Sequence, residues 1–478
     1  MTKGNLVYDG FQKSGTRAMA NGIANEHAVE KRPRISRRTF LARGAAIVAA
    51  PLVVSTAARG RARRPPPSER ITVGCVGMGA QGFDNMRQFL RLADVQVVAV
   101  CDVDRWHYRD NGWKEGLPYG REPAREAVEL KYAEAKKSGT FQGCAAVTDF
   151  RELCAMPDID AVVVSTPDHW HALCAREALR GGKDVYGEKP LTHLFREGEL
   201  LCAEVAQRKA VFQTGSQQRS IPVFRRAVEI VRNGHLGKIG RVEVGLPDGY
   251  SKPMGDATVA QAPADLDYEL WTGPAPLLPY MRARHHRWWR GNRAYGGGTL
   301  MDWIGHHNDI AEWGLGPEQS RLARVEAVGW TFPETDLYDT PVHYEIRAQY
   351  TGGVESSISD RHETGTKWIG ERGWLFVTRT IIEASDPRWA KADFQPGRVQ
   401  VEPSAGHHRN FIDCVKERRA CVAPPAVALR SITPGFLGYV SQSLGRAVRW
   451  DAERSAVIED PAADALLRAV EYRGPWEL

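Results

Sequence analysis

Six residues, Gly77-Met78-Gly79-Ala80-Gln81-Gly82, follow directly on the apolar run Ile71 to Val76 and open an amphipathic stretch that ends near Leu92. Few patterns restrict a chain so tightly. The first glycine permits a tight turn, the second lets a pyrophosphate approach the backbone, and the third lets the helix pack closely on the strand. Phosphate then sits at the helix N-terminus, where unpaired N–H groups and the helix dipole favour an anion. Asp102 closes the next apolar run, Val95 to Cys101, 20 residues after Gly82. A carboxylate there accepts from a ribose 2′-hydroxyl and repels a 2′-phosphate, so the pattern predicts NAD, while Arg105 nearby leaves NADP open.

The text after Ile71 alternates short apolar runs with helical stretches: Ala161 to Ser165, a helix over His171 to Leu179, then Asp184 to Tyr186. Such alternation predicts parallel strands joined by helical crossovers. Between Arg105 and Gln142 a Lys/Glu/Arg-rich insertion predicts a helix on the sheet edge. Beyond Gly237 the runs Ile239 to Val244, Arg324 to Trp330, His343 to Tyr350, Val354 to Ser359 and Trp374 to Thr378 tend to alternate apolar and polar residues. That period predicts an antiparallel sheet with one wetter face. Helical patterns over His407 to Glu417 and Pro434 to Gly445 complete the chain. The expected fold class is α/β: an N-terminal Rossmann, doubly wound parallel sheet over 71–190, and a C-terminal α+β domain over 191–478 with a large, mainly antiparallel open sheet.

Charge is informative for where it sits. Of 64 Lys+Arg and 58 Asp+Glu, 14 and 4 lie in the first 70 residues, so the body carries a slight acidic excess. No global basic field remains to attract nucleic acid. The head reads as an export signal: Ser36-Arg37-Arg38-Thr39-Phe40-Leu41, an apolar run Gly44 to Val54, then Ser55-Thr56-Ala57-Ala58. Paired arginines in that place resemble a twin-arginine signal, which implies the Tat export machinery as partner and a periplasmic or otherwise exported protein. Residues 1–58 are expected to be this signal region, cut or retained as an anchor, and the Arg/Pro-rich 59–70 a solvated linker. Eight cysteines at 75, 101, 144, 154, 174, 202, 414 and 421 show no CxxC pair and no zinc-type spacing, and read as core thiols.

Two further strings, Thr166-Pro167-Asp168-His169-Trp170-His171 and Glu188-Lys189-Pro190, follow in order. With the glycine loop they resemble the glucose-fructose oxidoreductase, inositol dehydrogenase and rhizopine-catabolism family (Gfo/Idh/MocA) from about Ile71 to Gly316. The resemblance implies that Thr166, Pro167, Asp168, His171 and Glu188 line a nicotinamide pocket and that Lys189 is the family's lysine. It also implies a homo-oligomer joined through the second domain's sheet. The block from Gly296 to Asp309, GGGTLMDWIGHHND, is similar to the family's GGGxLxDxGxHxxD string, and Asp302 and His306 match its catalytic pair. Ile304 stands where the family has glycine, which puts the helix start in question and brings His307 in as a candidate for the same role.

The same residues argue their chemistry directly. Asp302, His306 and Asp309 stand at i, i+4 and i+7 and share a face of a helix. A carboxylate beside an imidazole fixes its tautomer and supports the imidazolium formed on proton uptake. Oxidising a secondary alcohol needs such a base and a cation near the developing alkoxide, for which Lys189 is suited; Lys189 and His306 both stay open as proton acceptor. No HExxH or equivalent spacing supports a metal, and none is expected.

The string Tyr280 to Trp289, YMRARHHRWW, with Trp170, Trp271, Trp303 and Trp313, supplies flat rings and cations suited to a polyol. Gln217, Gln218 and Arg219, after the strand Val211 to Gly215, are further candidates for substrate contact, with Trp170 and His307. The expected function is an NAD(P)-dependent oxidoreductase of a sugar, polyol or sugar derivative that holds its cofactor tightly. An NAD-dependent glycosidase working by oxidation, elimination and reduction is the alternative in the same pocket. A carbohydrate-binding relative without turnover is the third, prompted by the displaced glycine.

Overall fold

A computed structural model describes residues 67–109, 115–136 and 143–478. The expected signal region, 1–58, and most of the 59–70 linker lie outside the described residues. Six parallel strands form the first sheet: β1 (Ile71–Val76), β2 (Val95–Cys101), β3 (Ala145–Val147), β4 (Ala161–Val164), β5 (Asp184–Gly187) and β6 (Phe212–Thr214). Their order is β3-β2-β1-β4-β5-β6. The strand order reverses between β1 and β4, where a crevice opens beyond the carboxyl ends of the strands. β4 and β5 are buried throughout, which explains why β4 reads as an unbroken apolar run.

The crossover helices are α1 (Ala80–Leu90), α2 (Arg121–Lys136), α3 (Phe150–Cys154), α4 (His171–Arg180) and α5 (Phe195–Arg208). The expected boundary at residue 190 falls short of the parallel sheet's end, because β6 pairs with β5 across α5. Nothing in the sequence at 190 ends the βαβ alternation; the turn there serves the site instead.

After α6 (Pro222–Arg232) a nine-stranded sheet is built from β7 (Ile239–Gly245), β8 (Leu322–Thr331), β9 (His343–Tyr350), β10 (Glu355–Ser359), β11 (Gly365–Gly370), β12 (Gly373–Val377), β13 (Ile382–Ala384), β14 (Val448–Asp451) and β15 (Ala456–Val457). The order is β13-β12-β11-β7-β10-β9-β8-β14-β15, antiparallel except for the pair β7 and β10. β9 alternates between buried and more exposed positions, so one face carries the core and the other is charged. Helices α7 (Gly298–Gln319), α8 (His407–Glu417) and α9 (Pro425–Leu444) complete the framework.

α7 is buried nearly all round. It fits against β11 because Gly314 has no side chain: a Cβ there would stand 2.6 Å from the Trp368 ring, whose Nε1 donates to the Ala311 carbonyl at 3.1 Å. On its other side Gly435 of α9 leaves room for Met301 and Ile304. The expected start of α9 at Pro434 is corrected to Pro425, since Pro434 is carried inside the helix, and a further helix over Pro461–Arg468 follows it. Ile304 is fully buried within α7, so the displaced glycine leaves the helix start at Gly298 intact.

Candidate active site

The glycine loop is shaped by what each glycine meets. Gly77 has φ 83° and a Cβ on it would lie 2.6 Å from the Ser165 backbone. On Gly82 a Cβ would overlap the Gly77 carbonyl oxygen. Gly79, by contrast, faces open space. Two glycines therefore close the turn and one keeps a cradle clear, which suits a pyrophosphate at the start of α1. Met78 is fully buried beneath the loop; Ala80 and Gln81 begin the helix, and Gln81 Nε2 donates to Glu188 Oε1 at 3.3 Å. Asp102 receives the Met78 N–H on Oδ2 at 2.6 Å and the Asp104 N–H on Oδ1 at 2.8 Å. Burial pushes its carboxyl up to about 6, against those two hydrogen bonds.

From this loop a cavity of about 800 Å³ runs past the ends of β4 and β5 to α7. Thr166, Pro167, Asp168, Trp170, His171, Glu188, Lys189, Gln217, Asp302 and His306 all line it. His171 braces the two turns: its Nδ1 lies 2.7 Å from the Pro190 carbonyl and its Nε2 3.0 Å from the Thr166 carbonyl. Burial pulls its imidazole down to about 4, and the hydrogen bonds to the two carbonyls oppose that shift. Glu188 is buried, accepts from Asn85 Nδ2 at 2.9 Å, and has its carboxyl raised by burial. Asn85 reaches on to Ser165 Oγ at 3.0 Å and to His408 Nε2 at 2.9 Å. Burial likewise raises Asp168 to about 7.

The Lys189 ammonium donates to the Asp302 carbonyl at 2.9 Å and to Asp302 Oδ1 at 2.6 Å. Arg290 Nε stands 3.2 Å from the same Oδ1. Those two cations outweigh desolvation and hold the Asp302 carboxyl well below the usual carboxylate range. His306 is one turn further along α7, and burial drives its imidazole well below the usual histidine value. Its Nδ1 is buried with no hydrogen-bond partner among the described residues, and the residue lines the cavity. The expected contact between Asp302 and His306 is thus replaced: they share a helix face, but the carboxylate is taken by Lys189 and Arg290.

Two expected substrate contacts are corrected. Arg219 is buried in a bidentate pair with Asp309, at 2.6 and 2.9 Å, and does not line the cavity. Its partner is the third member of the helix-face trio, which removes Asp309 from the site as well. His307 also lies outside the cavity wall, stacked on Trp303 with ring centroids 6.0 Å apart. Trp170 forms a wall, its Nε1 donating to the Trp271 carbonyl at 2.9 Å. Gln218 takes the place expected of Arg219: Nε2 donates to the His306 carbonyl at 3.3 Å while Oε1 accepts from Arg379 Nε at 3.3 Å. Arg379 lies over the Trp303 ring at 5.3 Å and has no carboxylate partner among the described residues. Asn85, Arg290, Arg379 and His408 escaped the sequence reading; only Arg290, next to the YMRARHHRWW string, had a signal that pointed to it.

A doubly wound sheet with a glycine loop at its switch point, and a lysine–carboxylate pair beyond the end of β5, is an arrangement suited to an NAD-binding oxidoreductase. The match is specific. Residues 71–216 match the oxidoreductase family's NAD-binding Rossmann fold, and residues 224–478 match its C-terminal alpha/beta domain. The chain belongs to the Gfo/Idh/MocA oxidoreductase family.

Among curated relatives, a glycosyl hydrolase family 109 protein of Shewanella sp. (strain W3-18-1) is 29% identical over 175 residues, 33% of this chain and 34% of its own length. The chain thus spans about a third of that relative's length. The uncharacterized oxidoreductase YrbE of Bacillus subtilis (strain 168) is 24% identical over 323 residues, covering 67% of this chain and 75% of its own. Among solved structures, the aldose-aldose oxidoreductase of Caulobacter crescentus, complexed with glycerol, aligns with TM-score 0.56 at 17% identity, covering 80% of this chain and 99% of its own. At that identity the likeness is one of fold.

Proposed function

We propose that this protein is an NAD-dependent oxidoreductase acting on a sugar, a polyol or a sugar derivative. The observation that carries the reading is the Lys189 ammonium, pinned by Asp302 within the cavity that begins at the glycine loop and that His306 also lines. NAD, when bound, accepts or returns hydride at its nicotinamide ring.

The chain's own part is to bind, orient and move a proton. Lys189 spends two N–H groups on Asp302 and keeps one for a substrate oxygen, where a developing alkoxide is stabilised in a site screened from water. His306, whose imidazole burial drives toward the neutral form, offers a ring nitrogen for the hydroxyl proton. Asp302 remains ionised four residues away on the same face and offsets the imidazolium charge. The walls of Trp170, Trp271, Trp289 and Trp303, with Gln217, Gln218 and Arg379, combine flat rings with hydrogen-bond donors, a composition suited to a hydroxylated ring. Asp102 favours NAD over NADP for the reason its charge gives.

The twin-arginine head supports export, and a compartment without a maintained NAD pool favours a chain that carries its cofactor through and regenerates it in each cycle. Self-association through the charged face of the large sheet belongs to the same proposal; on that face Arg324 pairs with Glu326 at 2.7 Å and Arg347 with Glu345 at 3.0 Å. A second reading, an NAD-dependent glycosidase, is favoured by the glycosyl hydrolase family 109 relatives. Mass spectrometry of the native exported protein, followed by incubation with free sugars and aryl glycosides, tests both. A retained nucleotide and a ketone or lactone product support the oxidoreductase; free sugar with no net NADH supports the glycosidase. Protein that arrives free of nucleotide and turns over only with added NAD defeats the tight-cofactor proposal.

A further inference from the structure

A second cluster of polar groups lies at the end of β2, and the reaction makes no use of it. His285 is 1% exposed, and both of its ring nitrogens are buried without a hydrogen-bond partner among the described residues. A neutral imidazole has one donor and one acceptor to satisfy, so an imidazole orphaned at both positions is exceptional in a folded interior. Beside it stand His286 and the buried carboxylate of Asp104, and one ligating atom from each of the three lies within 4.8 Å of the others.

We propose that Asp104, His285 and His286 bind a divalent transition metal of the zinc class. Two imidazoles and a carboxylate are a donor set that zinc accepts, with a fourth position left for water. The spacing agrees: ligands about 2.0–2.1 Å from a tetrahedral zinc stand about 3.3 Å from each other, and Asp104 Oδ2 is 3.2 Å from His286 Nε2.

The backbone brings the rings together. His285 is extended, with φ −112° and ψ 165°, while His286 takes the left-handed φ of 45°, so consecutive imidazoles converge with centroids 3.8 Å apart instead of diverging. His107 stacks on His286 at 3.6 Å and fixes its plane. The nearby cation of Arg282 is held over the Tyr108 ring at 5.0 Å and donates to the Tyr108 carbonyl at 2.7 Å. Asp104 follows Asp102 by two residues and His286 precedes Arg290 by four. The metal therefore staples the loop that carries Arg290 to the strand end that carries the ribose carboxylate, and it positions the cavity wall without touching the reacting atoms.

The test uses the full chain. After chelator treatment, Zn2+ or Co2+ is added, excess is removed, and metal is counted by plasma mass spectrometry; the Co2+ form is read by its visible d–d bands. The expected result is one metal per chain, a four- or five-coordinate Co2+ spectrum and a raised Tm on Zn2+ addition. H285A and D104N should lose the spectrum, and H306A should keep it. Wild-type protein that binds no stoichiometric metal overturns the proposal even if the variants misfold. So does a spectrum that survives H285A or disappears in H306A. Metal counting is independent of turnover, so the result stands apart from the proposed oxidoreductase activity.

Discussion

Lys189 and Asp302 stand 113 residues apart in the chain and 2.6 Å apart in space. One lies two residues past the parallel sheet's fifth strand and the other in the second turn of α7, so this contact joins the parallel-sheet half to the C-terminal half. The ammonium is held with one N–H to spare, which is the geometry an oxyanion donor needs.

Removing that donor should cost chemistry and leave binding intact. Lys189→Met is expected to lower kcat by about 10²–10³, the usual loss for one oxyanion-type donor, with NADH affinity by fluorescence titration within a few-fold of wild type. Loss of NADH binding instead would make Lys189 part of the cofactor site.

Asp302 should show its charge in the pH dependence of stability. Its folded carboxyl lies below the unfolded value, so its stabilisation is complete above about pH 4 and fades as pH falls through that range. Asp302→Asn leaves Lys189 and Arg290 unpaired in a buried site, a loss of about 3–5 kcal/mol at pH 7. Urea melts should show the gap between the two proteins narrowing below about pH 4. A constant gap would mean that the carboxylate's charge contributes nothing.

Gly79 and Gly82 should separate cofactor binding from folding. A methyl on Gly79 meets only open space in the chain and should leave Tm unchanged while occupying the pyrophosphate's place and weakening NAD. On Gly82 it overlaps the Gly77 carbonyl, and overpacking of that kind costs about 1–3 kcal/mol or more. Gly79→Ala with full NAD affinity would contradict the cradle.

Asp102 should make cofactor choice depend on pH. Its carboxyl is pushed up to about 6 by burial, so the negative charge that repels a 2′-phosphate is present above that pH and lost below it. The ratio of NADP to NAD dissociation constants should rise from pH 5 to pH 8 and flatten in Asp102→Asn. A ratio independent of pH would exclude this group.

Arg219 was a substrate candidate by its place after a strand, yet it is closed into a buried pair with Asp309. Arg219→Ala should lower stability by about 3–5 kcal/mol while KM and kcat of the remaining folded protein stay near wild type. A selective rise in KM without loss of Tm would return it to the pocket.

What was legible in the sequence depended on how local its cause is. Gly77, Gly79 and Gly82 declare a turn because each acts on residues next to it. β4 follows from its unbroken apolar run, and α4 from the helical pattern that comes after it. The helix face shared by Asp302, His306 and Asp309 was also read correctly, but a shared face does not say who the partner is: Lys189 took the first carboxylate and Arg219 the last. His408 enters the cavity from a helix more than 200 residues after Lys189, touching Asn85 across the fold, and no short-range pattern encodes that meeting. The start of α9 was misread because proline favours a helix's first turn, yet Pro434 lies well inside this one.

The central claim is that a nicotinamide ring lies beside Lys189, with His306 across the same substrate space. A crystal structure of the full chain with NADH tests it most directly. The account predicts pyrophosphate over Gly79, ribose on Asp102 and the nicotinamide C4 turned into the space bounded by Lys189, Asp302 and His306. A nicotinamide ordered elsewhere, with that space closed to any substrate, would contradict it.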